Sequence, residues 1–459
     1  MHYKRRLLQL WLNHRSTKLS ATKIIAVAFA AAILTGALLL MLPISSRSGV
    51  SCGFLTALFT STSATCVTGL VLYDTWTQWS GFGQIVILAL IELGGLGVMS
   101  AASLVVFMFR KKIGLKQRML MAQAMSLNDL EGVVRLQRMV IRGSILIELT
   151  GALILTIRFL PEYGPWCALR WGIFHAVSAF CNAGFDIFGV ISPGGSAMVF
   201  GTDPVVLLTL SALIILGGLG FFVWEELTRF RRFKKLSVYS RLVLITTALL
   251  LLTGMTGYLI LEWNNPATLG SMTVPQKFLA AFFQSTTIRT AGFAGIDQGM
   301  LTESSKAFTL FYMLIGGSSG STAGGVKTAT IVVLFLFLWS RARGRENVNL
   351  FKRSIPKSQV LDAATIVVTV LSLAFFGGVF VSATSHVPFL DAIFETVSAI
   401  ATVGLSTGIT PTLSISSKIL IIIFMYFGRV GVLTISLGFL MGDRASERFQ
   451  YAQTKLLIG

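Results

Sequence analysis

The chain has 459 residues, a formal net charge of +19 and a mean hydropathy of +0.77, with 54% apolar but only 12% charged residues. Such a composition excludes a string of soluble domains, and the apolar runs approach or exceed the ~20 residues that span a hydrocarbon core. The positive charge is no nucleic-acid footprint. It clusters at every second connection, in residues 4–23, 110–142, 229–241, 341–357 and 444–455, while the other connections carry only Arg47, Arg158, Arg170, Lys277, Lys306 and Lys418. That alternation predicts a polytopic helical protein in the lipid bilayer with both termini cytoplasmic.

In chain order, residues 1–22 read as a cytoplasmic segment. The apolar run 24–42 is too long for a signal-peptide core and lacks a small-residue cleavage site after it, so it is expected to be the first span. Four repeats follow, at 23–110, 138–225, 240–339 and 360–441, with a cytoplasmic tail at 442–459. Each repeat is predicted to contain an outer spanning helix, a pore half-helix, a filter loop and an inner spanning helix. The outer helices are expected at 23–42, 139–160, 240–263 and 361–384, and the half-helices at 52–64, 166–180, 275–287 and 388–399. Inner helices are expected at 82–109, 204–224, 306–339 and 418–441. The predicted fold is all-α, with eight spans. All four outer helices start on the basic side, so the repeats are parallel and related by a pseudo-fourfold axis along the membrane normal; inverted repeats would need opposite orientations.

After each half-helix comes a glycine-ended string: Val67-Thr68-Gly69, Asn182-Ala183-Gly184, Thr290-Ala291-Gly292 and Thr402-Val403-Gly404. The glycines recur at roughly 110 residues, a period that marks internal repetition. Glycine permits backbone angles that turn carbonyl oxygens inward onto an ion, and irregular backbone at membrane depth is tolerated where it lines a cavity or is buried in protein. The four strings are therefore expected to form four walls of one pore. The partial negative charge at each half-helix C-terminus favours a cation there. Asp74, Glu162, Asp186, Asp203, Glu262, Asp297, Glu303 and Asp391 lie on or near the outer side, where carboxylates either concentrate cations or merely solvate loops.

The third inner helix is interrupted. Gly316-Gly317-Ser318-Ser319-Gly320-Ser321-Thr322-Ala323-Gly324-Gly325 sits inside an apolar span, and five glycines at roughly 1 kcal/mol each cannot hold a regular helix. This stretch is expected to be a flexible gate below the filter, with close small-residue helix packing as the plainer reading. Its second half has the glycines of a phosphate loop, but a valine separates Gly325 from Lys327 and no strand precedes it. Lys327 and Arg429 are charges at membrane depth, and either narrows the path as an electrostatic barrier or forms an ion pair with Glu92 or Glu148. Arg289, three residues before Gly292, is expected to turn behind the filter and brace Glu395. Gly94-Gly95-Leu96-Gly97 and Gly217-Gly218-Leu219-Gly220 read as bending and packing points. Cys52, Cys66, Cys167 and Cys181 fall at repeat-related positions, with neither a disulfide framework nor a metal-ligand spacing. His2, His14, His175 and His386 form no helical metal pair, and no constellation for catalysis is visible, so the chain is not expected to be an enzyme.

These motifs together resemble the Trk/Ktr/HKT superfamily of potassium transporters, in particular the membrane subunit of bacterial Ktr-type uptake systems. The four filter strings, above all Thr290-Ala291-Gly292-Phe293, carry the resemblance with residues 316–327 and Gly428-Arg429, and it extends over nearly the whole chain. It implies a potassium path through the carbonyls of the twelve filter residues, with sodium as a further candidate ion. It also implies a gate formed by the broken third inner helix, with Arg429 narrowing the path beneath the filter. Gly69, where sodium-admitting relatives carry serine, favours potassium. The resemblance further implies a homodimer with one pore per subunit and a cytosolic regulatory ring that binds the nucleotide. The competing class is a secondary transporter of a small organic substrate, with the broken helix as its binding site.

Overall fold

The computed structural model describes residues 21–97, 133–230 and 233–431. The 1–20 part of the N-terminal segment, the later half of the first inner helix, the end of the fourth and the 442–459 tail lie outside the described residues.

In the first repeat, α1 (Ala21–Met41) buries Ala26, Ile33, Ala37 and Leu40 and leaves Leu34 and Leu38 exposed, as a helix between protein and lipid should. The pore helix α2 (Phe54–Thr65) starts after Gly53 and is buried from Phe59 onward. Ser61 on α2 donates to the Ile33 carbonyl at 2.7 Å, and Gly36 leaves the room that this hydroxyl occupies. The short α3 (Thr75–Gln78) is capped by Asp74, and α4 (Gly81–Gly95) descends from the Ser80 cap.

In the second repeat the outer and pore helices follow each other directly within α5 (Val133–Phe180), two helices that meet at a kink at Gly164, whose φ is 73°. Pro161 and Pro165 flank that break and prevent a straight continuation. The expected inner helix at 204–224 is not continuous: α6 (Pro204–Leu219) and α7 (Phe221–Arg229) meet at 95°. Gly220 makes the turn with φ 91° and is packed against Ser318 and Ser319.

The third repeat contains α8 (Val238–Glu262), α9 (Val274–Thr287), α10 (Glu303–Met313) and α11 (Thr328–Ala342). A two-residue hairpin, β1 (Asn349–Leu350) with β2 (Arg353–Ser354), occupies the basic connection to the fourth repeat. There α12 (Lys357–Ser385), α13 (Phe389–Ile400) and α14 (Ile415–Val430) complete the described chain. The pore helices end within two residues of the sequence expectation.

Among the described residues four helices are long and apolar enough to cross a membrane, or five with the bent pair counted as one. They include all four outer helices. Among the described residues the second inner helix is bent at Gly220 and the third is divided by the 316–325 stretch, and parts of the first and fourth lie outside the described residues.

Each outer helix packs on its own pore helix, and each inner helix packs on the pore helix of the next repeat: α4 on α5, α6 on α9, α10 on α13 and α14 on α2. The last contact closes the series into a ring. Leu146, Ile260 and Phe376 face outward on its rim.

Gly220→Ala places a side chain on left-handed backbone, costing about 1–2 kcal/mol, and drives its Cβ to within 2.6 Å of Ser318 Oγ. A lower midpoint of thermal unfolding in detergent is the expected result; an unchanged midpoint would mean the bend tolerates a straighter helix.

Candidate functional site

The four glycine-ended strings meet at the centre of the ring. In every string the glycine is left-handed, at φ 95°, 70°, 81° and 91° for Gly69, Gly184, Gly292 and Gly404. Two residues earlier Val67, Asn182, Thr290 and Thr402 are left-handed as well, at 55°, 58°, 64° and 49°. Three of these four are β-branched, for which this conformation is a strained outlier costing roughly 1–3 kcal/mol. The alternation is repeated four times, so the same imposed backbone serves each quarter.

Each glycine faces a carbonyl of the following repeat. A Cβ on Gly69 would stand 2.5 Å from the Ala183 oxygen, on Gly184 2.7 Å from that of Ala291, and on Gly292 2.7 Å from that of Val403. On Gly404 it would overlap the Thr68 oxygen. The order runs through the four repeats and back to the first, so only glycine lets the four main chains approach this closely.

A hydroxyl shelf supports the strings from behind. Ser63 and Ser398 accept from the amides of Gly69 and Gly404 at 3.1 and 3.0 Å, and Ser178 and Thr287 donate to the carbonyls of Phe185 and Phe293 at 2.6 and 2.7 Å. Sequence reasoning missed these four residues, although a hydroxyl five or six positions before each glycine was there to be read. The hydroxyls of Thr68, Thr290 and Thr402 are buried without a hydrogen-bond partner. The Asn182 carboxamide is held away, its nitrogen donating to Ala179 and Ile214 carbonyls at 3.0 and 3.2 Å.

Above the strings lies a cavity of about 260 Å³, lined by all four glycines together with Asp74 and Asp186. The other outer acids are engaged elsewhere. Glu162 and Asp203 pair with Arg158 at 2.8 and 2.6 Å, Asp391 pairs with Lys306 at 2.9 Å, and Glu262 accepts from Thr268 and Thr302. Asp297 caps Gly299, and Glu303 lies in the first turn of α10. The outer carboxylates are thus mostly structural, and two of them face the mouth. Burial, and then the neighbouring Asp74 charge, push the Asp186 carboxyl up to about 7.

Below the strings the 316–325 stretch is an ordered loop without helix. Gly316 donates to Val326 at 2.9 Å and Thr328 to Gly317 at 3.0 Å, which pinches the loop at its base. Its limb is fastened to the end of α6, where Ser318 and Thr322 amides donate to the Gly218 and Gly217 carbonyls at 3.1 and 3.2 Å. Tyr239 donates to the Ser319 carbonyl at 3.0 Å, and Phe221, past the bend, donates to Gly320 at 2.8 Å. Ser321 turns back onto the Ser318 carbonyl, and Ala323 is buried. Gly324 and Gly325 pass directly under the Thr402 hydroxyl and Ala401 carbonyl. The bend at Gly220 and the broken helix are therefore one arrangement, which the sequence displayed as two separate glycine clusters.

Arg429 holds this loop to the opposite side. Its guanidinium donates to the Thr322 carbonyl and to the carbonyls of Gly94 and Gly95 on α4. The ion pair expected as one alternative, with Glu92 or Glu148, is not formed, because the planar fork finds carbonyl partners at the helix break first. Lys327 likewise forms no such pair; its ammonium donates to the Ala323 carbonyl at 2.7 Å. The expected brace from Arg289 to Glu395 is also absent. Arg289 is buried with its Nε unpartnered, while Glu395 accepts from Thr410.

Three comparisons place this geometry among known proteins. The family model described as TrkH, cation transport protein, matches residues 7–448. The chain is 42% identical over 427 residues to the Ktr system potassium uptake protein B of Bacillus subtilis, covering 93% of this chain and 94% of that protein. It is 40% identical over 447 residues to the potassium/sodium uptake protein NtpJ of Enterococcus hirae, covering 96% and 98%. The crystal structure of the potassium transporter TrkH from Vibrio parahaemolyticus has a similar fold, with a TM-score of 0.71 at 17% identity over 94% of this chain and 86% of that one.

Replacing Arg429 by Gln removes charge-assisted bonds of roughly 1.5–3 kcal/mol each before desolvation. Amide hydrogen exchange at Ser318 and Thr322 should then accelerate by about an order of magnitude or more. Exchange as slow as in the parent protein would show that the loop is held without the arginine.

Proposed function

The chain belongs to the TrkH cation transport family, and we propose that it is the pore subunit of a Ktr-type system taking up potassium through a gated, channel-like path. It is a membrane transporter and not an enzyme. The observation that carries the reading is the closed ring in which each of four left-handed glycines meets the next repeat's carbonyl. The relatives, a Ktr system potassium uptake protein and a potassium/sodium uptake protein, support the same cargo.

In this reading the carbonyls of Val67, Thr68, Gly69, Asn182, Ala183, Gly184, Thr290, Ala291, Gly292, Thr402, Val403 and Gly404 replace the ion's water shell. The buried threonine hydroxyls of the strings, unpartnered in the structure, are further oxygens that could turn to the ion. Potassium is the substrate, and sodium is the second ion to which the path is open. Residues 316–325, with Lys327 and Arg429, form the gate. A buried cation beneath the filter repels cargo while the loop stays fastened, and releasing the loop widens the path.

The repeats at 23–110, 138–225, 240–339 and 360–441 then contribute eight spans in the cell's inner membrane, and both termini face the cytosol. The functional unit is a homodimer above a cytosolic ring whose subunits, rather than this chain, bind nucleotide. The organic-substrate alternative has no comparable support. The family transports cations, and the broken helix spends its backbone groups on α6 and on its own base.

Purified protein in liposomes should pass rubidium or potassium down a gradient in preference to sodium. Alanine at Gly69, Gly184, Gly292 or Gly404 should erase that preference, most severely at Gly404, where the new Cβ overlaps the Thr68 oxygen. Normal selectivity in these variants would refute the filter assignment.

The Asp186 carboxyl, pushed up to about 7 by burial and Asp74, is charged above that pH and neutral below it. Acidifying the outer side through this range should therefore reduce flux at low potassium, where attraction at the mouth limits entry. In Asp186→Asn the pH dependence should flatten; a profile identical to that of the parent protein would remove Asp186 from the mouth.

A further inference from the structure

Cys181 immediately precedes filter string two, Glu92 lies on α4 and Glu148 on the outer arm of α5. One donor atom from each lies within 4.8 Å of the others. The Cys181 thiol donates to Glu92 Oε2 at 3.4 Å. Glu148 is 7% exposed, and its Oε1 is buried with no hydrogen-bond partner. Two carboxyl groups thus converge at membrane depth, and among the described residues neither has an ion pair. Arg429, whose charge acts on Cys181, spends its guanidinium on the Gly94, Gly95 and Thr322 carbonyls. Acidic side chains placed so deep are costly without a partner. The two carboxyl groups hydrogen-bond to each other across a shared proton. With Glu148 Oε1 taking no further donor and a thiol beside them, they form a donor set that a cation can take over.

The chemistry of the set narrows the ion. Magnesium and calcium are held by oxygen ligands alone, whereas a thiolate beside carboxylates suits zinc and its spectroscopic substitutes. Zinc bonds of ~2.0–2.3 Å put tetrahedral donors about 3.5 Å apart. The trio needs to close by little more than an ångström at its widest, with water as the fourth ligand.

We propose that Glu92, Glu148 and Cys181 bind a zinc-type divalent cation, which clamps the first two repeats together beside the filter. Binding displaces to solvent both the thiol proton and the proton shared by the two carboxyl groups, and forms metal–sulfur and metal–oxygen bonds with no change of oxidation state. Glu92, the partly exposed member, is the point of entry. The clamp has a direct route to the gate. A Cβ on Gly95 would stand 2.5 Å from Cys181 Sγ, and the Gly94 and Gly95 carbonyls are what Arg429 grips. An ion here fixes the α4 end of that grip and is expected to inhibit transport.

The test uses the purified full-length protein in detergent with cobalt(II) as probe. Wild type should develop a thiolate-to-cobalt charge-transfer band that saturates at one ion per chain and is displaced by zinc. The band should vanish in Cys181→Ser. In Glu148→Gln and Glu92→Gln cobalt should bind at least about tenfold more weakly, since even outer partners of a metal site are worth that much. No band in wild type, a band surviving in Cys181→Ser, or unchanged affinity in both Gln variants would overturn the site. The Gln variants keep the test alive if Cys181→Ser does not fold. In liposomes zinc should inhibit rubidium flux, and Glu148→Gln should need about tenfold more zinc for the same fractional inhibition. The optical arm does not depend on cargo. A protein that binds cobalt in this way yet carries no potassium would sink the uptake reading and leave the site standing.

Discussion

The structure depends on one close approach repeated four times: the α-carbon of a filter glycine against a carbonyl oxygen of the next repeat. No side chain fits there, so the constraint falls on glycine at Gly69, Gly184, Gly292 and Gly404 alone. Everything around these contacts serves to impose them. The pore helices deliver the strings to the axis, and the hydroxyl shelf of Ser63, Ser178, Thr287 and Ser398 anchors them. Inner helices seated on neighbouring pore helices hold the quarters in register. Left-handed backbone at Val67, Thr290 and Thr402 is the strain that this enclosure sustains.

Beneath the ring, arginine does what a hydrophobic contact cannot. A broken helix exposes carbonyls that no lipid can satisfy. Arg429 satisfies those of Gly94, Gly95 and Thr322 at once, because its planar fork presents several donors in fixed directions. The same contacts join α4, α14 and the 316–325 loop. Structural completion and the proposed barrier to cations thus fall on one side chain, and loosening the loop necessarily leaves carbonyls in need of new partners.

Much of this was legible in the sequence because it follows from composition and period. Helix apolarity gave the fold class, basic clusters gave the parallel orientation, and the glycine period located the four strings and their half-helices. What the sequence withheld concerns direction and distance. The sequence marked 217–220 as a bending and packing point, but not the 95° of the turn at Gly220, since a glycine does not declare its φ. The partners of Arg429 and Lys327 are main-chain carbonyls, which carry no residue identity, so acidic side chains were the visible but wrong candidates. Arg289 and Glu395 are both buried near the filters, yet neither charge offsets the other. The convergence of Glu92, Glu148 and Cys181 joins positions far apart in the chain, and no spacing rule reaches across such a gap.

The circular packing has a consequence for how the protein is made. Tyr426 on α14 donates to the Ala26 carbonyl on α1 at 2.8 Å, four hundred positions away, and α14 is also the neighbour of α2. A ribosome releases the first quarter long before the last. Until the fourth repeat enters the bilayer, the earliest pore helix lacks the flank that α14 covers and the Thr68 carbonyl lacks its neighbour Gly404. Nascent chains therefore spend most of their synthesis as an open arc, and insertion of the C-terminal quarter is the event that matures the earlier three.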